Sequence, residues 1–167
     1  MLLAGGASSR FGSPKALAPF RGETLAERAW RTLGEACGHR IAVGKTADAL
    51  PLPFPVLDDG RADHAPIFGL AAGLRAAPTD LCVVLPVDCP LVTAGLLLEL
   101  ADACRGDVAR PSRGPLPGAY RRSALPALEG GELALHRAIA ALEVTVLDLD
   151  ETLLLNVNTP DELIALG

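Results

Sequence analysis

Apolar positions along this chain fall by turns into short runs and helical spacings. Met1-Leu2-Leu3 is a brief apolar run that stops at Gly5-Gly6, which predicts a first strand followed by a loop. Thr24-Leu25-Ala26-Glu27 has the form of a capping box, and Leu25, Ala29, Leu33 and Ala36 hold helical spacing up to Gly38. Arg40 to Gly44 predicts a short strand, and Val56-Leu57 another after a Pro-punctuated connection. Ile67 to Ala77 predicts a helix of small residues closed by Pro78. Leu81-Cys82-Val83-Val84-Leu85 is apolar throughout, as suits a central strand buried on both faces. Val92 to Cys104 predicts a helix with Thr93 as N-cap, and Val108 to Arg110 and Gly118 to Tyr120 predict shorter strands around a Pro/Gly loop. Leu133 to Leu142 reads as helix and Val144 to Leu149 as strand. Thr159-Pro160-Asp161-Glu162 opens a last helix with a cap, a Pro at the first position and acids in the first turn. This order predicts an α/β fold, a three-layer α/β/α sandwich on a Rossmann-like, mostly parallel sheet. Residues 1–167 form one domain, without repeat, linker or low-complexity tract.

In open α/β sheets ligands sit at the carboxyl ends of the strands. Those ends carry Leu3-Ala4-Gly5-Gly6, Gly44-Lys45, Asp58-Asp59, Pro86-Val87-Asp88-Cys89-Pro90 and Asn156-Val157-Asn158-Thr159. The first loop, through Lys15, has small hydroxyl residues, Arg10, Gly12 and Lys15, and no acid. Glycine lets backbone N–H groups approach an anion, and Arg10 and Lys15 add fixed positive charge. That is the chemistry of a polyphosphate cradle, although an ordinary Gly-Gly turn has the same composition. A P-loop is excluded because Ser13-Pro14 separates Gly12 from Lys15. A dinucleotide fingerprint is excluded because Gly5, Gly6 and Gly12 lack its spacing and Pro14 interrupts any helix there.

Charge and cysteine content narrow the classes. A net charge of −5 argues against a nucleic-acid surface, while a nucleotide needs only a local basic patch. Cys37, Cys82, Cys89 and Cys104 form no C-x-x-C pair, so neither a zinc site nor a thioredoxin motif is indicated, and Cys37, Cys82 and Cys104 read as small core residues. No basic leader with a long apolar stretch and no run of 18 apolar residues occurs, so a cytoplasmic protein without a membrane partner is expected.

Asp88 is the strongest single candidate for chemistry. The most apolar strand runs into Pro86-Val87-Asp88-Cys89-Pro90, so a carboxylate emerges between two rigid residues. An acid there is costly unless paired, hydrated or metal-bound, and magnesium held by one carboxylate plus substrate phosphates meets that need. The plainer reading is an Asp capping the following helix. Cys89 beside it reads as space-filling.

Four segments occur in order: the loop Leu3 to Lys15, Pro66-Ile67-Phe68-Gly69-Leu70-Ala71-Ala72-Gly73-Leu74, Pro86 to Pro90, and Asn156-Val157-Asn158-Thr159-Pro160-Asp161. Together they resemble the molybdenum cofactor guanylyltransferase family over nearly the whole chain. The opening glycine pattern is shared by the wider nucleotide-diphospho-sugar transferase group, and the second Gly of the pair, Gly6, the Pro66 to Leu74 helix and the Asn156-Val157-Asn158-Thr159-Pro160 ending narrow it. The resemblance implies transfer of GMP from GTP to molybdopterin with release of pyrophosphate and a requirement for Mg2+. It places Leu3, Ala4, Gly5 and Gly6 against the nucleotide, Arg10 and Lys15 on the triphosphate, Asp58 on the guanine edge with Asp59 as the off-by-one alternative, Asp88 on the metal and Asn158 near the acceptor. It also implies a molybdopterin-delivering protein as a possible partner. No general base is required, because the attacking phosphate is already an anion, and His39, His64 and His136 are left without a catalytic role. His64, in the loop after Asp58, is the one placed to graze the site.

The chain also departs from the family pattern. Gly44-Lys45-Thr46 stands where relatives carry an Asn for the base, Ala65 and Ile67-Phe68 flank Pro66 in place of Gly and Leu-Ala, and Phe11 replaces a Met. These changes keep two alternatives open: a cytidylyltransferase acting on molybdopterin or a sugar or polyol phosphate, and a non-catalytic nucleotide-binding protein of the same fold.

Overall fold

Leu2 turns into one apolar layer and Leu3 into the other, and this alternation repeats across the central sheet. The computed structural model describes residues 1–5, 11–12 and 14–167. In chain order the elements are β1 (Leu2–Leu3), a small hairpin of β2 (Pro19–Phe20) and β3 (Glu23–Thr24), α1 (Leu25–Ala36), β4 (Ala42–Gly44) and β5 (Val56–Asp58). They continue with α2 (Pro66–Ala76), β6 (Leu81–Pro86), α3 (Ala94–Ala103), β7 (Val108–Pro111) and β8 (Gly118–Arg121). The last are α4 (Leu125–Leu128), α5 (Leu135–Ala138), β9 (Val144–Leu147) and α6 (Pro160–Ala165).

Among the described residues seven strands form one sheet in the order β5-β4-β1-β6-β8-β7-β9. All neighbours are parallel except at β8, which runs antiparallel to both β6 and β7. The α/β fold with a mostly parallel sheet between two layers is therefore as expected. Ala42, Val83, Leu85, Ala109 and Ala119 pack into one layer with α1 and α3, and Val43, Val84, Val108 and Tyr120 into the other with α2, α4 and α5. The antiparallel strand follows from chain length: only Ser112 to Pro117 joins β7 to β8, too short for a parallel crossover.

Local signals explain most boundaries. The Thr24 hydroxyl accepts from Glu27 N while the Glu27 carboxylate accepts from Thr24 N, the reciprocal box that starts α1. Thr93 and Thr159 cap α3 and α6 in the same manner, each hydroxyl accepting from the amide three residues on. The expected helix over Leu133 to Leu142 contracts to Leu135–Ala138, because the chain beyond it tightens into i→i+3 turns, with Leu142 N donating to Ile139 O. The strand expected over Val144 to Leu149 ends at Leu147. Cys37 and Cys82, expected in the core, are only half-buried, whereas Cys89 and Cys104 are buried.

This topology sets the carboxyl ends of β4, β1 and β6 side by side, with β1 central and paired to both neighbours. The N-terminus of α2 overhangs the same edge.

Candidate active site

The carboxyl ends of β1, β4 and β6 open into a cleft of about 300 Å³, whose walls include Leu3, Ala4, Gly5, Gly44, Lys45 and Asp88. Backbone forms one wall. A Cβ on Gly5 would stand 3.2 Å from Gly44 Cα, tighter than ordinary contact, so a side chain there would press on β4. The first turn of α2 closes one flank, beginning at Pro66 with no side-chain cap on Ala65.

Lys15 and Asp88 meet on the β6 side. The Lys15 ammonium donates to Val157 O at 2.7 Å and stands 3.4 Å from Asp88 Oδ2. Their side chains are 14% and 28% exposed, so the pair faces the cleft without leaving solvent entirely. Val157 N donates to Asp88 O at 2.8 Å, which stitches the segment before α6 to the end of β6 and brings Asn158 to the rim. Sequence residues far apart thereby gather at one edge. The Cys89 thiol is buried and contacts Asp88 Oδ1 at 3.7 Å; burial, then the neighbouring Asp88 charge, push its titration well above the usual thiol range. A thiol so held is a packing group rather than a nucleophile.

On the β4 side the two adjacent carboxylates separate. Asp58 is exposed, and its oxygens accept from Thr46 N at 2.6 Å and Gly60 N at 2.7 Å. Hydrogen bonds from Thr46, through side chain and amide, and from Gly60 hold its carboxyl at about 2. Asp59, one residue further, lines the cleft instead. The separation is local: Asp58 is the last residue of β5 and is spent closing the turn, while Asp59 begins the loop and faces Lys45.

Lys45 is buried beside it. Its ammonium donates to Asp59 Oδ1 at 2.9 Å, Arg61 O at 2.6 Å and Asp63 O at 2.6 Å. The side chains of Lys45 and Asp59 are 9% and 7% exposed. Asp59 Oδ1 also accepts from Arg61 N at 3.0 Å.

Of the residues singled out in the sequence, Leu3, Ala4, Gly5, Lys15, Asp88 and Asn158 come together around this cleft, and Asp58 does not. Gly6 and Arg10 lie outside the described residues. His64 lines the cleft, as do Pro66, Gly69 and Leu116, the last from the β7–β8 connection. The strand-end rule already pointed to Lys45 and Asp59; Leu116 carries no sequence signal of its own.

A carboxylate that lines the cleft beside a basic residue fits a magnesium ion that takes one or two carboxylates and completes its shell from phosphates and water. Among the described residues no cluster of three or more His, Cys, Asp or Glu could hold a metal alone, so substrate oxygens would have to contribute. Among them, too, no helix is long and apolar enough to cross a membrane.

Residues 1–146 match the model of the MobA-like NTP transferase domain. A probable molybdenum cofactor guanylyltransferase of Deinococcus radiodurans is 37% identical, the match covering 99% of this chain and 92% of that protein. Another protein of that description, from Chloroflexus aggregans, is 34% identical, with 98% and 90% covered. Among solved structures, molybdopterin-guanine dinucleotide biosynthesis protein A from Archaeoglobus fulgidus superposes with a TM-score of 0.79 at 25% identity, covering 98% of this chain and 94% of that one.

Proposed function

Because the chain belongs to the molybdenum cofactor guanylyltransferase family, we propose that its cleft transfers GMP from GTP to molybdopterin and releases pyrophosphate. The observation that carries this reading is the convergence, at the ends of β1, β4 and β6, of a glycine-lined backbone wall, the Lys15–Asp88 pair and the Asp59 carboxylate. A nucleoside triphosphate needs those three surfaces: one to lie against, one for its phosphates and one for its base.

The terminal phosphate oxygen of molybdopterin attacks the α-phosphorus of GTP. The bond from that phosphorus to the bridging oxygen of the β-phosphate breaks, and its electron pair leaves with pyrophosphate. Such chemistry rests on positioning and charge neutralisation. Lys15, oriented by Val157 O, meets the triphosphate charge, and Arg10 adds to it. Asp88 would hold magnesium, which supplies charge neutralisation at the phosphates when bound. Asn158 lies on the acceptor side. The attacking phosphate is an anion already, so His64 is not needed as a base.

Asp59 takes the guanine edge in this reading, in place of Asp58. Guanine offers a ring N–H and an adjacent amine, both donors, whereas cytosine pairs its amine with an acceptor nitrogen. A carboxylate therefore favours guanine. We infer a cytoplasmic enzyme, with molybdopterin arriving free or from a delivering protein.

Purified protein incubated with molybdopterin and Mg2+ should release pyrophosphate from GTP and form the guanine dinucleotide, with CTP turned over poorly. Preference for CTP would replace this reading with the cytidylyltransferase. Nucleotide binding without any transfer to molybdopterin would leave the non-catalytic alternative.

A further inference from the structure

We propose that Lys45 is a positioning residue that clamps the 59–63 loop from within and fixes Asp59 for base selection; this rests on the guanine reading above. The ammonium has three protons, and the structure gives each an acceptor: Asp59 Oδ1, Arg61 O and Asp63 O. Those acceptors belong to alternate residues of one loop. A single nitrogen therefore gathers the loop around itself, and its position is set in turn by Gly44 at the end of β4.

Two consequences follow from the count of donors and acceptors. The Lys45 ammonium has no proton left for a ligand, so its charge acts on the nucleotide through Asp59. Asp59 Oδ1 is occupied by Lys45 and by Arg61 N, which leaves Oδ2 without a hydrogen bond from any described residue. One carboxylate oxygen, held against rotation by two bonds to its twin, is the acceptor the cleft retains. Its charge is compensated from behind by a buried cation, so it meets donors readily and repels an acceptor such as the cytosine ring nitrogen. The same loop leads directly into His64, Ala65 and Pro66 of the cleft wall, so the clamp also sets where α2 begins.

The Lys15–Asp88 pair stands on the β6 side of the cleft, and the hydrogen bonds described for it run to Val157 and not to this loop. Loss of the clamp should therefore weaken nucleotide binding and blur base choice while the chemical step is largely spared. A residue with a merely structural role would lower turnover of all triphosphates alike.

The test compares wild type with Lys45→Met, which keeps length but has no donors, and Lys45→Gln, which restores donors. Pyrophosphate release is followed with GTP and with CTP, and backbone amide exchange of residues 59–65 is measured without nucleotide. Lys45→Met should raise KM for GTP by about tenfold, change kcat much less, and lower the GTP-over-CTP ratio by a similar factor. Exchange in the loop should quicken, and Lys45→Gln should recover part of each effect. If Lys45→Met fails to fold, Lys45→Gln carries the same comparison at smaller amplitude. An unchanged KM and ratio in a folded variant, or an equal loss of kcat with both nucleotides, overturns the proposal. Wild type that shows no preference for GTP overturns the guanine reading instead. Amide exchange then still decides the clamp: unchanged protection in the variants rejects it.

Discussion

The Lys15 ammonium donates to the Val157 carbonyl at 2.7 Å across a sequence separation of 142 residues, so the first loop and the segment before the last helix are joined at the cleft. Val157 N in turn donates to Asp88 O. In the proposed arrangement the nucleotide and acceptor sides share this hydrogen-bonded seam, and a change at Lys15 should be felt on both.

Lys15→Ala should weaken GTP more than GMP. In the proposed arrangement the ammonium meets phosphates that GMP lacks, and a charge-assisted contact is worth about 1.5–3 kcal/mol. Calorimetry with the two nucleotides measures this directly. Arg10→Ala should act in the same direction, and equal losses for GTP and GMP would move both residues away from the triphosphate.

Asp88→Ala should reduce Mg2+-dependent turnover by about 10²-fold or more, since in the proposed arrangement its carboxylate holds the metal, whose charge stabilisation is worth several kcal/mol. The fold should survive, because the link to Val157 uses the Asp88 backbone and not its side chain. A thermal melt close to wild type with turnover lost is the expected pair of results. Thr93 and not Asp88 caps the following helix, so a melt that collapses would mean that the Asp88 carboxylate holds the fold through its pair with Lys15.

How much of this could be read from the chain depended on whether a feature was local. The apolar run over β6, the Thr24–Glu27 box and the Thr93 and Thr159 caps are each decided within a few residues, and those elements stand as expected. The β2–β3 hairpin did not announce itself. Its strands have two residues each, and its turn is Arg21-Gly22 with φ of 50° and 87°, the double left-handed conformation usually signalled by Asn-Gly. At the site, Asp88 and Lys15 were legible because strand ends and glycine loops carry their own chemistry. The choice between Asp58 and Asp59 was not, because it turns on which carboxylate closes the β5 turn onto Thr46 and which faces Lys45. That is a tertiary fact. Lys45 stood out in the sequence as a strand-end residue and as a departure, but its partners are carbonyls of a loop that no residue pattern encodes.

Asp58 should shape acid stability rather than base choice. Its carboxyl sits at about 2 in the folded chain against an ordinary value of 3.8, held down by Thr46 and Gly60. A depressed folded value means stability that is present above the ordinary value and is lost as pH falls from about 4 towards 2. Urea midpoints should therefore separate wild type from Asp58→Ala at neutral pH, and the two should converge as the pH approaches 2. The GTP-over-CTP ratio of Asp58→Ala should stay near wild type. A gap in midpoint that persists unchanged at low pH would show that the Asp58 charge contributes nothing to the turn.

The Lys45–Asp59 pair separates stability from selectivity. Both side chains are more than nine-tenths shielded, so removing one partner strands the other charge, a loss of about 3–5 kcal/mol for buried pairs. Lys45→Met and Asp59→Leu should each lower the denaturation midpoint sharply. The double variant should regain much of that loss, because two apolar groups leave no buried charge and desolvation of the pair is no longer required. Recovery should be partial, since Arg61 O and Asp63 O lose their donor as well. Base preference should not recover, because the double variant lacks the Asp59 carboxylate that the guanine reading sets against the base. Chemical denaturation read beside GTP and CTP turnover makes the comparison. A double variant as unstable as the sum of the single ones would mean that Lys45 stabilises through the loop carbonyls alone. A double variant that still prefers GTP would place base recognition on the backbone of Leu3 to Gly5 and remove Asp59 from that role.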